Sequence, residues 1–236
     1  MTNETTEYLF APPAVSSVPV TGTQARYPVH RIFCVGRNYL DHAKEMGVEL
    51  DREAPFYFTK PASAIVQSGS TVPYPPGTAN YHHEMELVIA MGGPAFRVAK
   101  EDVWKSIYAL GCGLDMTRRD LQLVFRGKGQ PWDLGKSFEQ SAVMGALTPV
   151  SGPADFDTRR LTLDVNGERR QDALLGLLIW KVEEIVSHLS GFYHLNAGDL
   201  IYTGTPAGVG AVVAGDQLVG QIDGLEPVKL TIGPAE

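Results

Sequence analysis

Two carboxylates stand two residues apart in Tyr81-His82-His83-Glu84-Met85-Glu86-Leu87-Val88-Ile89-Ala90, inside an apolar, β-branched run. On a strand, side chains at i and i+2 share a face. Two bare carboxylates on one face repel unless a proton or a cation joins them. Read alone, the pair fits either a half-exposed strand with both acids in solvent or one edge of a metal site. Asp115 ends a second apolar run, Gly111-Cys112-Gly113-Leu114-Asp115, and supplies a third oxygen ligand if the two strands are neighbours. Three carboxylates suit Mg²⁺ or Mn²⁺, with coordination positions left for water and substrate oxygens. Zinc is disfavoured: His82 and His83 point to opposite faces of a strand, and there is no His-Glu-x-x-His. One of the two histidines is left to hold a ligand from behind.

A second candidate group lies upstream. His42 and Glu45, at i and i+3, share a helix face. They form either a surface pair or a carboxylate-oriented imidazole able to take a proton from water. Lys136 sits among apolar residues and glycine, where it could hold a substrate carboxylate or a developing oxyanion. Gly204-Thr205-Pro206-Ala207-Gly208-Val209-Gly210 is either a plain turn or a loop whose N–H groups and Thr205 hydroxyl grip a small carboxylate.

These residues need elements to position them. Arg31–Gly36 reads as a buried strand ended by glycine, and residues 39–46 as a helix with no breaker before Gly47. Residues 55–60 form an aromatic strand stopped by Pro61, and 63–72 continue extended. Residues 100–110 give a short helix leading into a strand, and a helix covers 118–124. Residues 161–168 alternate and end in Asn166-Gly167, a hairpin signal. Residues 174–189 read as an amphipathic helix with Trp180 toward the core, and the chain from Asp199 onward is rich in strands and glycine. Residues 1–30, with four prolines, are expected as an extended N-terminal segment, and 31–236 as a single catalytic domain.

The composition is that of a globular protein of 236 residues, 44% hydrophobic and 20% charged, large enough to enclose a buried site. A net charge of −7 argues against nucleic acid, which needs a basic surface. It does not prevent a local cluster of Arg and Lys from binding a small anion. No run approaches membrane-spanning length and the start is polar, so a cytoplasmic location is expected. Cys34 and Cys112 fall in apolar stretches and are expected as two buried thiols. A serine hydrolase is disfavoured because no Gly-x-Ser-x-Gly occurs, and Gly111-x-Gly113 lacks the rest of a dinucleotide loop.

Seven motifs follow one another in a distinctive order. They are Gly36-Arg37-Asn38-Tyr39 with Asp41-His42, Lys60-Pro61, His83-Glu84-Met85-Glu86-Leu87, and Asp115-Met116-Thr117 with Arg119-Asp120, then Lys136-Ser137-Phe138, Val165-Asn166-Gly167, and Gly204-Thr205-Pro206 with Gly208-Val209-Gly210. From about Arg31 to the C-terminus the chain resembles the fumarylacetoacetate hydrolase family. The length and Gly129-Gln130-Pro131-Trp132 are similar to its acylpyruvase branch. The resemblance implies an α+β, β-rich fold, a mixed β-sandwich roll, in a homodimer. It implies Mg²⁺ or Mn²⁺ on Glu84, Glu86 and Asp115, water activated by His42 and Glu45, and charge stabilised by Lys136. By the same resemblance Arg119 and Gln122 hold the 2-oxo acid end of the substrate and Thr205 closes over its carboxylate.

The implied reaction is hydrolysis of the C–C bond of a 3-acylpyruvate, with fumarylpyruvate, cleaved to fumarate and pyruvate in gentisate-type breakdown, the leading substrate. Its distal carboxylate needs a cation, for which Arg37, Lys60, Arg118, Arg126 and Lys128 are all candidates. The apolar run 173–178, Ala173-Leu174-Leu175-Gly176-Leu177-Leu178, stands where relatives continue with glycine, threonine or serine and then methionine, a change expected to alter the pocket wall. Oxaloacetate decarboxylase and hydratase or isomerase activities of the same family are the competing readings, disfavoured by the His42–Glu45 pair. A non-catalytic cation-binding module is disfavoured by Lys136 as well.

Overall fold

The computed structural model describes residues 7–45 and 54–236. Its largest sheet runs, strand by strand, in the order Phe56–Lys60, Arg31–Gly36, Asp199–Tyr202, Met85–Met91, Ile107–Asp115, Ala142–Met144, Ile65–Gln67. A second sheet has the order Glu168–Leu174, Arg160–Val165, Gln217–Ile222, Val228–Ala235, Ser70–Tyr74. Parallel and antiparallel pairs mix in both. The fold is the β-rich mixed roll expected from the sequence.

Met85–Met91 shows why this sequence makes a central strand. Met85, Leu87, Ile89 and Met91 enter the core beneath the second sheet, while Val88 and Ala90 enter a separate core with Val18, Tyr27, Cys34, Leu200 and Tyr202. With both faces covered, the run stays apolar at nearly every position. Burying each such side chain contributes about 1.5–3 kcal/mol. Glu86 interrupts this run on the Val88 face, so its burial is a cost that ordinary strand packing does not explain. The second core also uses the N-terminal hairpin of Ser17–Pro19 and Arg26–Pro28.

Register brings the acidic residues together. Met85 pairs with Leu114 and Glu86 with Gly113. The Asp115 N–H donates to the Glu84 carbonyl at 2.9 Å, where the chain leaves the short strand Tyr81–His83. Gly113 is required here because a Cβ would press into Val88 and Tyr202. Cys34 and Cys112 are free buried thiols, as expected. Asn166 and Gly167 both have positive φ, at 52° and 81°, which closes the expected hairpin.

The helix expected over 174–189 is shorter. Strand pairing continues to Leu174, opposite Arg160, a single 3₁₀ turn covers Leu175–Leu177, and the α-helix runs over Val182–Ser190. The helical spacing of the leucines arises instead from a strand end and a turn, with Leu175 and Leu178 buried and Leu174 and Leu177 exposed. No residue of 173–178 is among those lining the pocket described below, so this run does not form its wall. The helix read over 39–46 is observed as Leu40–Glu45, and its last residue lies outside the described residues. No helix of the described chain is long and apolar enough to cross a membrane.

Candidate active site

Glu84, Glu86 and Asp115 converge, each offering a carboxylate oxygen, with the three atoms within 4.8 Å of one another. All three side chains are buried. Their partners differ. Glu84 accepts from Lys136 Nζ at 2.8 Å and from Arg119 Nη2. Asp115 accepts from Lys136 Nζ at 2.6 Å, and Lys60 Nζ makes a charge contact with its Oδ1 at 2.8 Å, outside hydrogen-bond geometry. Glu86 accepts the Gly204 N–H at 2.7 Å and, among the described residues, makes no salt bridge.

The electrostatics follow. Burial pushes the Glu84 carboxyl up, but the Lys136 and Arg119 charges override it and hold it below the usual carboxylate range. Burial pushes Glu86 well above that range, and the charges of Asp115 and Glu84 push it further. Burial works against the Lys136 ammonium, yet Asp115 and Glu84 outweigh it and raise its pKa. Glu86 is therefore the carboxylate whose charge the protein leaves least compensated, within reach of two others. An all-oxygen donor set with one such member fits a hard divalent cation.

Around this triad the structure gathers the other residues singled out from the sequence. His42, Arg37, Arg119, Gln122, Lys136 and Thr205 line the same pocket as the triad. Glu45 stands behind His42, with Oε2 at 3.2 Å from Nδ1. Its carboxylate also faces the Gly208 N–H, at 3.3 Å to each oxygen. The helix Arg119–Gly127 turns Arg119 and Gln122 inward, and Arg119 Nη1 donates to the Gln122 side-chain oxygen. Arg119 Nε remains a buried donor without a partner.

Several expectations are corrected. The Thr205 hydroxyl donates to the Met85 carbonyl at 2.8 Å and accepts from Gln171 Nε2 at 2.8 Å, so its proton is already committed to the strand. The loop glycine serves the site differently from expectation: the Gly204 N–H holds Glu86. Lys60 lies at the back of the triad, donating to the Met116 and Lys136 carbonyls, and does not line the pocket. Arg118 stacks on Phe138 at 4.2 Å and bonds the Leu134 carbonyl, while Lys128 is exposed; neither lines the pocket. Arg37 and Arg126 do.

Neither His82 nor His83 joins the triad. His83 Nδ1 faces Gln171 Oε1 at 3.3 Å and His82 Nε2 faces Asn80 Oδ1 at 2.8 Å. Burial lowers the pKa of each to about 4. The sequence reading missed Gln171, which ties Thr205, the Pro206 carbonyl and the Met85 N–H together. It also missed Phe58 and Trp132 as pocket walls.

Gly208 makes the loop testable. Its φ is +94°, and a Cβ there would run into the Arg170 carbonyl oxygen. Gly208→Ala is expected to destabilise the protein by about 1–3 kcal/mol and to lower turnover by displacing the N–H that steadies Glu45. Thermal melts and kcat of the variant check this; an unchanged kcat would separate Gly208 from the dyad.

The mixed-sheet roll with an acidic triad able to hold a divalent cation, a buried lysine and His42 on one pocket, backed by Glu45, defines a class of enzyme site. The family described as fumarylacetoacetate (FAA) hydrolase C-terminal matches residues 31–233. The chain belongs to the fumarylacetoacetate hydrolase family. A fumarylpyruvate hydrolase from a Ralstonia species is 52% identical over 193 residues, 81% of this chain and 100% of that protein. A crystal structure of the Pseudomonas aeruginosa fumarylpyruvate hydrolase, in complex with Mn²⁺ and pyruvate, superposes with a TM-score of 0.92 at 45% identity, covering 97% of this chain and 100% of that one. An oxaloacetate tautomerase of Escherichia coli is 37% identical over 204 residues, 86% of this chain and 93% of that protein.

Proposed function

We propose that the chain hydrolyses the C–C bond of a 3-acylpyruvate, with fumarylpyruvate cleaved to fumarate and pyruvate, as a step of gentisate-type aromatic degradation. The observation that carries this reading is the placement of the His42 imidazole on the wall of the pocket that holds Glu84, Glu86 and Asp115. Support from relatives comes from the Ralstonia and Pseudomonas fumarylpyruvate hydrolases, the second with Mn²⁺ and pyruvate bound. The resemblance extends the proposal to a cytoplasmic homodimer that uses Mg²⁺ as well as Mn²⁺.

Glu84, Glu86 and Asp115 would hold the divalent cation. Once bound, it polarises the 2-oxo carbonyl and offsets the charge of the pyruvate enolate that leaves. The protein residues do the rest. Glu45 accepts the Nδ1–H of His42, which fixes the tautomer and leaves the Nε2 lone pair free for a proton. Nε2 takes a proton from water, and the resulting hydroxide adds to the distal acyl carbonyl. The bond between that carbonyl and the methylene breaks, its electron pair stays with the pyruvate fragment, and the proton held on Nε2 returns to the methylene. Water and substrate are thereby consumed one for one to give a carboxylic acid, which loses its proton to solvent, and pyruvate. Arg119 Nε is a free donor for the 2-oxo acid's carboxylate. Lys136, a cation anchored by Glu84 and Asp115, faces oxygen charge that develops beside it.

A second reading is favoured by the Escherichia coli tautomerase, since keto–enol exchange of oxaloacetate moves a proton without adding water. Protein stripped with EDTA and reloaded with Mg²⁺ or Mn²⁺ separates the two on a panel of fumarylpyruvate, acetylpyruvate and oxaloacetate. The expected result is fumarate and pyruvate in equal amounts, dependent on the added cation. Tautomerisation or decarboxylation of oxaloacetate with no acylpyruvate cleaved would replace the hydrolase reading.

A further inference from the structure

Resting on the acylpyruvate reading above, we propose that Gln171 is a positioning residue of the reaction. Its single side-chain amide locks the loop 203–208, so that the cation ligand Glu86 and the dyad carboxylate Glu45 are held in fixed relation to each other. Gln171 does not line the pocket, so its influence travels through the backbone it binds.

Its placement is anomalous for its surroundings. Glu168, Arg169, Arg170 and Asp172 are exposed, yet Gln171 is fully buried. Leu163 pairs with Gln171 while Asp164 pairs with Arg169, which leaves Arg170 as the extra residue of a β-bulge. Such bulges re-aim side chains beside active sites. Opposite the buried Leu163, Gln171 faces the core. An amide there is unfavourable unless its polar groups are paired, and here they are. Oε1 accepts the Met85 N–H at 3.0 Å and faces His83 Nδ1 at 3.3 Å. Nε2 donates to the Thr205 hydroxyl at 2.8 Å and to the Pro206 carbonyl at 2.9 Å. These contacts use both hydrogens of the amide and both lone pairs of its oxygen.

The groups so bound flank the carboxylates of the reaction. Met85 stands between Glu84 and Glu86. Thr205 and Pro206 stand between two glycines: the Gly204 N–H holds Glu86 at 2.7 Å, and the Gly208 N–H meets Glu45 at 3.3 Å to each oxygen. The start of the loop has its own anchors, since the Thr203 N–H donates to the Leu87 carbonyl and Asn38 Nδ2 to the Thr203 carbonyl. Pro206 has no N–H, so its carbonyl is the one backbone group by which it can be tied, and Gln171 takes it. The carbonyl of the bulged Arg170 lies against Gly208, where a Cβ would collide with it. Gln171 and its bulged neighbour form the bed of the loop's middle. A shift there displaces the donor to a cation ligand and the donor to the dyad together, and small displacements of such supports are costly.

The test uses Gln171→Met, which keeps the side chain's length and removes its hydrogen bonds. Two quantities are measured: Mn²⁺ affinity of the EDTA-stripped protein by calorimetry, and kcat and KM for fumarylpyruvate at saturating Mn²⁺. The expected result is about 10-fold weaker Mn²⁺ binding together with a kcat lower by about 10- to 100-fold, while KM stays within about threefold. A residue that only stabilises the fold would lower the melting temperature and leave both quantities unchanged, which would overturn the proposal. Loss of one quantity without the other would overturn the coupling. If Gln171→Met does not fold, Gln171→Asn is read by the same measurements, because an amide one methylene shorter cannot span strand and loop at once. If the wild type cleaves no acylpyruvate, the hydrolase reading falls, and the Mn²⁺ titration decides for Gln171 by itself. Tenfold weaker binding in the variant supports its role, and unchanged binding overturns it.

Discussion

Glu86→Gln is expected to lose at least about 10³-fold in hydrolysis, while the metal-free protein becomes more stable at neutral pH. The two effects share one cause. Glu86 is buried, accepts the Gly204 N–H, and stands beside Asp115 and Glu84. Burial first, and those charges second, raise its pKa well above the ordinary value of 4.5. A carboxyl with a raised pKa in the folded state binds its proton more tightly folded than unfolded. Its contribution to stability is complete below pH 4.5 and is lost as pH rises through the folded pKa. Glutamine accepts the same N–H and never ionises, so it escapes that loss. Melting curves of EDTA-treated proteins should therefore diverge in favour of the variant as pH rises from 4.5 toward neutrality. Added Mn²⁺ should raise the wild-type midpoint and leave the variant's nearly unmoved. A variant that melts lower than wild type without metal, or rises equally with it, would remove Glu86 from the ligand set.

Chemistry was easier to read from this sequence than architecture, for a physical reason. A carboxylate inside an apolar run announces itself, because nothing in strand packing accounts for its cost. Glu86 and Asp115 both carried that signal. Glu84 carried it less cleanly, since it sits where one strand ends and the next begins. Lys60, by contrast, reads only as the end of an aromatic strand before Pro61 and as one of five candidate cations for the distal carboxylate. Only the pairing of Lys60 with Ile32 shows that the strand end is buried against Asp115. Gln171 was hidden by its neighbours: Glu168, Arg169, Arg170 and Asp172 read as a solvated hairpin, and Gln171 is the one member that turns inward. The leucines of 174–178 satisfy a helical period and a strand-turn equally well, and the ladder with Arg160 decides between them. Where a side chain's role depends on a partner distant in sequence, local pattern cannot assign it; the Glu84–Glu86 pair read alone fits a solvated strand as well, and only the ordered series of motifs points to a metal site.

His42→Ala is expected to lower kcat by about 10²- to 10⁴-fold and to leave the Mn²⁺-induced rise in melting temperature intact. His42 lines the pocket but contributes no atom to the carboxylate triad, so removing it takes away the proton acceptor and not the cation's seat. Alanine also leaves a space open to the pocket, into which added imidazole should fit and restore part of the rate. Glu45→Gln tests the other half of the dyad. An amide that donates to Nδ1 places the ring proton on Nε2, where it blocks the acceptance of a proton from water. The Glu45 side chain is 37% exposed, which leaves the ring some freedom to turn and escape that trap. The expected loss is therefore near the lower end of the range, about 10²-fold, and imidazole should not rescue it because the native ring still fills the space. If His42→Ala retained hydrolysis, the water would have to be activated elsewhere. If both variants lost the response to Mn²⁺, the dyad would be shaping the cation site, and the division of labour between His42 and the carboxylates would be wrong.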